Sequence, residues 1–247
     1  MSDSLVLLSS GAFFVVAFLY ASVGHAGASG YLAVMALLSH APETIKPISL
    51  LMNCVVATIA SVAFIRAGHF DGRVLLPFAV TSIPLAFLGG TLRLDPALFR
   101  TFAGVFLLGA SILLFLREHL RPRDEPRPVR LPLALTLGAG IGVVSGMLGV
   151  GGGIFLTPLL IVLGWAPVKT AAGVSALFIL CNSLMGLLGH VSEFAELPLA
   201  TLPFCGAALA GGYLGAHLGA TRLDPRVVHW ILRIVLLGAG LKFLLVR

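Results

Sequence analysis

Few folds tolerate the way charge is spread along this chain. Asp, Glu, Lys and Arg are all absent from 4–42, 47–65, 74–92, 101–116, 131–168, 170–192 and 197–221. One membrane crossing by a helix takes about 20 mainly apolar residues, enough for a hydrocarbon core of ~30 Å. Several of these stretches suit one crossing, and 4–42 and 131–168 are long enough for two. With 11% charged and 58% hydrophobic residues over 247 positions, the chain has too little charge to cover a soluble domain. The expected fold class is an all-α integral membrane protein.

The net charge of +6 would suit nucleic acid, but the Arg residues sit in short loops beside the apolar stretches. There they act as topology signals, and no nucleic-acid partner is expected. The opening Met-Ser-Asp-Ser has no basic run ahead of the apolar stretch, so it reads as an uncleaved end left outside the cytoplasm. Cys54, Cys181 and Cys205 fall inside apolar spans without metal-type spacing and read as buried free thiols. No metal and no cofactor are expected.

The chain repeats itself. Segment 91–110, TLRLDPALFRTFAGVFLLGA, matches 220–239, ATRLDPRVVHWILRIVLLGA, at a constant offset of 129. Nearer the start of each half the offset is 125, pairing Gly24, Gly27, Ala41 and Pro42 with Gly149, Gly152, Ala166 and Pro167. Duplication at a fixed period marks a unit written twice. It divides the chain into a first transmembrane repeat, 1–116, a basic linker, 117–130, and a second repeat, 131–247. The linker holds five Arg, which places it in the cytoplasm.

Each half offers five apolar segments: 5–23, 30–39, 47–66, 73–92 and 98–116, then 131–147, 154–164, 169–190, 197–219 and 227–246. An odd number turns the second half over, so two inverted-topology repeats with about eight to ten membrane segments are expected. Both termini and the loop with Glu193 and Glu196 then lie outside, and Arg66, Arg73, Lys169, Arg222 and Arg226 inside. Lys46, Arg93 and Arg100 fall on the outer side, against the bias. Inverted repeats are a common plan for secondary transporters.

The second segment of each half is short: a helix over 30–39 rises only about 15 Å. Glycine-rich stretches precede both, Gly24 to Gly30 and Gly149 to Gly153. Unwound backbone at membrane depth survives only where protein buries it or it lines a polar cavity. Each half is therefore expected to open with a helix, a break near mid-membrane, and a returning or re-entrant half-helix.

A half-helix N-terminus presents free N–H groups and a positive dipole end, and glycine lets a ligand approach the backbone. The expected substrate-binding residues are His25, Gly27, Ala28, Ser29 and Gly30 in the first break and Gly151, Gly152 and Gly153 in the second. Packing is the competing explanation for these glycines. Asn53 and Asn182, with Ser175 nearby and Ser49 in the first half, are buried polar groups in corresponding helices; they either meet the ligand or bond helix to helix. His25 could donate to an anion, titrate, or hold a freed carbonyl; Val150 replaces it in the second half. Gly138, Gly142 and Gly146, and Gly211, Gly215 and Gly219, recur every fourth residue, the stripe of close helix contacts. His217 is read as packing and Arg233 as reaching to the interface. No carboxylate lies deep in a span, which disfavours an Asp/Glu proton relay. One enzymatic alternative exists: Gly27-Ala28-Ser29-Gly30 and Ala216-His217 have the local form of rhomboid intramembrane proteases, with Ser29 as nucleophile and His217 as base. The duplication argues against it.

Gly24–Leu37 (GHAGASGYLAVMAL), Gly146–Leu160 (GMLGVGGGIFLTPLL) and 166–184 (APVKTAAGVSALFILCNSL) resemble the TauE/SafE sulfite exporter family of membrane permeases. The resemblance implies transport of sulfite, thiosulfate, an organosulfonate or a related small anion across the plasma membrane. It covers essentially the whole chain. The first break departs from the family's glycine run at His25, Ala28 and Ser29, which implies an asymmetric site. The expectation is a carrier, not an enzyme, whose partners are a small anion and the lipid bilayer, with a homodimer possible. An anion channel is the alternative.

Overall fold

The computed structural model describes residues 3–37, 42–92, 126–189 and 201–222, with scattered residues of 95–112 and 230–245 besides. The fifth segments at 98–116 and 227–246 fall largely outside the described residues. So do most of the linker, Glu193, Glu196 and Arg233.

Eight helices make up the described part: α1 Asp3–Ala21, α2 Ala28–Leu37, α3 Pro42–Arg66, α4 Gly72–Thr91, α5 Leu131–Leu148, α6 Gly153–Leu163, α7 Val168–Gly189 and α8 Thr201–Thr221. No strand occurs among the described residues. Pro47–Arg66, Gly72–Thr91, Leu131–Leu148 and Val168–Gly189 are long and apolar enough to cross a membrane. At about 1.5 Å per residue, α2 and α6 reach only about half that depth. Their starts differ slightly from the sequence expectation. Ala28, Ser29 and Gly153 belong to the first helical turns and not to the breaks before them.

Local chemistry sets the ends. Asp71 precedes α4 and its carboxylate accepts from the Arg73 N–H at 2.8 Å, supplying one of the partners a helix start lacks. Pro132 stands in the first turn of α5, where its missing N–H costs nothing. Gly149 and Gly164 end α5 and α6 in left-handed backbone, as helix-terminating glycines do.

The helices are apolar all round, so small residues decide which faces meet. Gly138, Gly142 and Gly146 of α5 lie on the main chain of Phe78, Ser82 and Ala86 in α4. Gly211, Gly215 and Gly219 of α8 lie on Phe14, Phe18 and Ser22 of α1 and its end. A Cβ at any of these would overlap the opposing backbone, so the expected packing stripes are where the helices touch. The fourth helix of each half thus packs on the first helix of the other. Exchanging the halves preserves the further pairs too: α2 with α3 as α6 with α7, α8 with α3 as α4 with α7, and α3 with α7 across the centre. Aromatic rings fill the spaces between, with Phe13 set edge-on to Tyr31 at 5.7 Å and to Phe204 at 5.0 Å. Outward, Leu7, Leu76, Val80, Leu188 and Leu202 are exposed, an apolar surface of the kind lipid covers.

Candidate functional site

Both helix breaks are built alike. Gly24 (φ 74°) and Gly149 (φ 69°) turn the chain after α1 and α5, and Gly27 (φ 98°) and Gly152 (φ 76°) stand just before α2 and α6. L-residues pay for that backbone region, so glycine at these pairs is required by conformation. The 125-residue offset of the sequence thus reappears as a repeated backbone path. Gly27 O accepts from Tyr31 N at 2.9 Å, and Gly152 O accepts from Phe155 N at 3.0 Å. The N–H groups ahead of those bonds belong to the unpaired start of each half-helix. Only the second break has a further left-handed glycine, Gly151 (φ 69°), where the first has Ala26.

The breaks meet the opposite half. Gly24 packs on the main chain of Ala172 in α7. A Cβ on Gly151 would stand 2.6 Å from Ser183 Oγ and 2.9 Å from Asn53 Nδ2 of α3. Between the breaks is a buried cavity with room for about one water molecule, lined by Tyr20, His25, Gly27, Ala28 and Ser29 from the first half and by Val150, Ile154 and Ile179 from the second. The Tyr20 and Ser29 hydroxyls are bonded at 2.8 Å. His25 is 1% exposed. Its Nδ1 lies 3.2 Å from Val23 O, and a carbonyl only accepts, so Nδ1 carries the ring proton. The ring lies near the Gly153 backbone, yet Nε2 has no hydrogen-bond partner.

Of the residues expected from sequence, this cavity brings together His25, Gly27, Ala28 and Ser29. Gly30 is turned away, against Val16 and Tyr20. Gly152 faces Ile141, Phe178 and Ser145, and Gly153 faces Ile179. Ser175 accepts from Thr157 at 2.7 Å behind α6, as Ser49 donates to Ala28 O at 3.1 Å behind α2. The two asparagines bond across helices: Asn53 Nδ2 donates to Ser183 Oγ at 3.2 Å, and Ser82 donates to Asn182 Oδ1 at 2.8 Å. Each keeps one buried amide atom unpaired, Oδ1 of Asn53 and Nδ2 of Asn182, as does Ser145 Oγ. Tyr20, Ser82, Ser145 and Ser183 are the polar members that the sequence reading passed over. Their signal was a hydroxyl inside a charge-free span, and for Tyr20 and Ser145 also the 125-residue offset that makes them counterparts.

The Ser–His alternative does not form. Ser29 is buried against Tyr20, whereas His217 is exposed and stacks on Tyr213 with ring centroids 6.3 Å apart. Among the described residues no cluster of His, Cys, Asp or Glu could hold a metal, and no Lys, Arg, Asp or Glu is buried.

Residues 10–243 match the family model for the sulfite exporter TauE/SafE. A probable membrane transporter protein of Sinorhizobium fredii, y4hK, is 36% identical over 94% of this chain and 96% of its own length. Two probable membrane transporter proteins of Bacillus subtilis are more distant: YunE at 24% over 82% of this chain and 81% of its own, and YdhB at 26% over 87% and 90%. No solved structure matches the chain. With a family model spanning nearly its whole length and helices fit to cross a bilayer, the chain belongs to the TauE/SafE family and is a multi-pass membrane transporter.

Proposed function

We propose that the chain is a secondary carrier for a small sulfur oxyanion (sulfite, thiosulfate or an organosulfonate), bound between the two helix breaks. The observation that carries this reading is the cavity shared by both breaks and bounded by the first turn of a half-helix from each half. Helix starts offer N–H groups and a positive dipole end to an anion. In this site they stand in for a cationic side chain. Asn53 walls the second break beside Gly151, and the Asn53–Ser183 and Ser82–Asn182 hydrogen bonds tie the halves together.

A cavity with room for about one water cannot hold an oxyanion as it stands. The breaks must part to admit one. That favours alternating access over an open pore: the exchange-symmetric helix pairing supports two inverted repeats whose hairpins move against each other. The orientation that goes with this has the N-terminus outside and the linker 117–130 in the cytoplasm of a cell whose plasma membrane holds the carrier.

The test is flux of radiolabelled sulfite, thiosulfate and methanesulfonate into proteoliposomes of the purified protein. Saturable uptake of at least one, above that of empty liposomes, is expected. No saturable uptake of any of the three overturns the reading, and unitary currents in a planar bilayer would replace the carrier by a channel.

A further inference from the structure

We infer that His25 makes the carrier proton-coupled: its imidazole takes up one proton with each anion bound and gives it up with each anion released. This rests on the anion site proposed above and adds a second transported species to it.

The argument begins with charge. An anion entering this core meets no buried Lys or Arg among the described residues. Helix starts lower the cost of burying it, but they leave its net charge uncompensated, and isolated buried charge is expensive. One group at the cavity can supply a positive charge on demand. His25 lines it, Nδ1 is committed to Val23 O, and Nε2 keeps an unshared lone pair. The groups facing the ring are the Tyr20 phenol and the Ser29 hydroxyl from its own half and, from the other, the Gly153 backbone with Val150, Ile154 and Ile179. None of them is charged near neutral pH. The tyrosine ring stands edge-on to the imidazole, 6.4 Å away. The backbone at Val23 and Gly153 is within reach of the ring, but no carboxylate supplies a full negative charge beside it, so the arriving anion is the charged partner of the imidazolium.

The cycle balances. On the side where the site is open, Nε2 forms an N–H bond to a proton from water. The imidazolium donates that N–H to an oxygen of the anion, and one negative charge is cancelled. After the halves rock, the anion leaves, the Nε2–H bond breaks to water, and the ring returns to its neutral form. The second break cannot do this, since Val150 occupies the matching position.

Methanesulfonate and thiosulfate are the probes, because neither carries a proton of its own near neutral pH. Vesicles are clamped at zero potential with equal potassium and valinomycin. Exchange of labelled for unlabelled anion without a pH gradient reports the carrier alone. With the outside one pH unit more acid, one proton per anion drives steady-state accumulation of about tenfold. That ratio does not depend on rate or on the amount of active protein. Accumulation to no more than the external concentration by a wild-type protein that does exchange overturns the coupling and leaves the carrier standing. No exchange of either probe overturns the carrier itself. In His25→Gln the ratio falls to about one whatever its rate; a ratio still near tenfold refutes the role of His25. Should that variant fail to insert or to exchange, infrared difference spectra of wild type containing isotope-labelled histidine decide. Anion binding must then raise the imidazolium signal, and an unchanged signal overturns the proposal.

Discussion

Gly151 offers the sharpest test of the second break. Its φ of 69° lies in the left-handed region, where a side chain costs about 1–2 kcal/mol. The space is also taken: a Cβ would stand 2.6 Å from Ser183 Oγ, 2.8 Å from Ile179 Cγ2 and 2.9 Å from Asn53 Nδ2. All three are nearer than real Cβ contacts, and two belong to the hydrogen bond joining α3 to α7. Forcing one methyl into a filled core typically costs about 1–3 kcal/mol. Gly151→Ala is therefore expected to destabilise the fold by about 2–5 kcal/mol. The control is Gly140→Ala on α5, where nothing lies within 4 Å of the added carbon; it should match wild type or exceed it slightly. Both are read by SDS-induced unfolding in mixed micelles, with anion flux measured beside it. Coincident unfolding curves for Gly151→Ala and wild type, with normal flux, would refute the close approach of the break to Asn53 and Ser183. Gly152→Leu, at a glycine the sequence places among the expected substrate-binding residues, is a poorer choice. Gly152 is left-handed (φ 76°) and enclosed by Ile141, Phe178 and Ser145, so leucine there disturbs folding before it disturbs transport.

Tyr20→Phe keeps the ring and removes the hydroxyl bonded to Ser29; half-saturation of flux should rise severalfold while unfolding shifts by no more than about 1.5 kcal/mol. A flux curve superimposable on wild type would take Tyr20 out of the site. Ser82→Ala leaves both amide ends of Asn182 unpartnered, and the loss in SDS unfolding should fall between about 0.6 and 1.7 kcal/mol, the range for hydrogen bonds between membrane helices. Gly215→Leu drives a side chain into the main chain of Phe18, so no monodisperse folded protein is expected on gel filtration; a folded variant would mean that α1 and α8 are further apart. His69, in the loop between α3 and α4, is held below the usual 6.5 by partial desolvation and then by the nearby Lys169 charge. The fold prefers the neutral ring, so stability falls as pH drops through the unfolded value, and His69→Gln should lessen the loss measured between about pH 7.5 and about pH 5.5.

The placement of glycine was the most legible part of the chain. Gly24, Gly27, Gly149 and Gly152 stand out as a repeat, and each holds left-handed backbone that other residues avoid. The stripes at 138–146 and 211–219 were readable for a related reason, because a run of missing side chains every fourth residue marks one helix face. What that pattern omits is the partner. Nothing in Gly211, Gly215 and Gly219 names α1 as the helix they touch, and a contact nearly two hundred residues away in sequence leaves no local trace. The direction of polar side chains was illegible too. A soluble helix shows its inner face by its apolar positions, but a helix apolar all round has no such phase. Gly30 was accordingly grouped with Ser29 although it faces α1, and Asn53 was matched to Asn182 although each bonds a serine, Ser183 and Ser82.

The same physics explains why the scaffold is symmetric while the chemistry is not. Helix packing in lipid is fixed by small residues, and both halves retain theirs, so every major helix contact has its counterpart. Duplicated contacts constrain the backbone path of a break but not the side chains that line the space beside it. There the halves have separated: Tyr20, His25 and Ser29 supply a phenol, an imidazole and a hydroxyl on one side, and Val150, Ile154 and Ile179 supply hydrocarbon on the other. An apolar wall strengthens every polar interaction opposite it by keeping water out. Under the proposed carrier reading, two polar walls would hold an anion and its water, whereas one polar wall against one apolar wall would hold the anion on the His25 side. Replacing Val150 by histidine would give each break its own imidazole. If the asymmetry sets the stoichiometry, Val150→His should change the protons moved per anion, and a ratio equal to that of wild type would show that only the first break handles the proton.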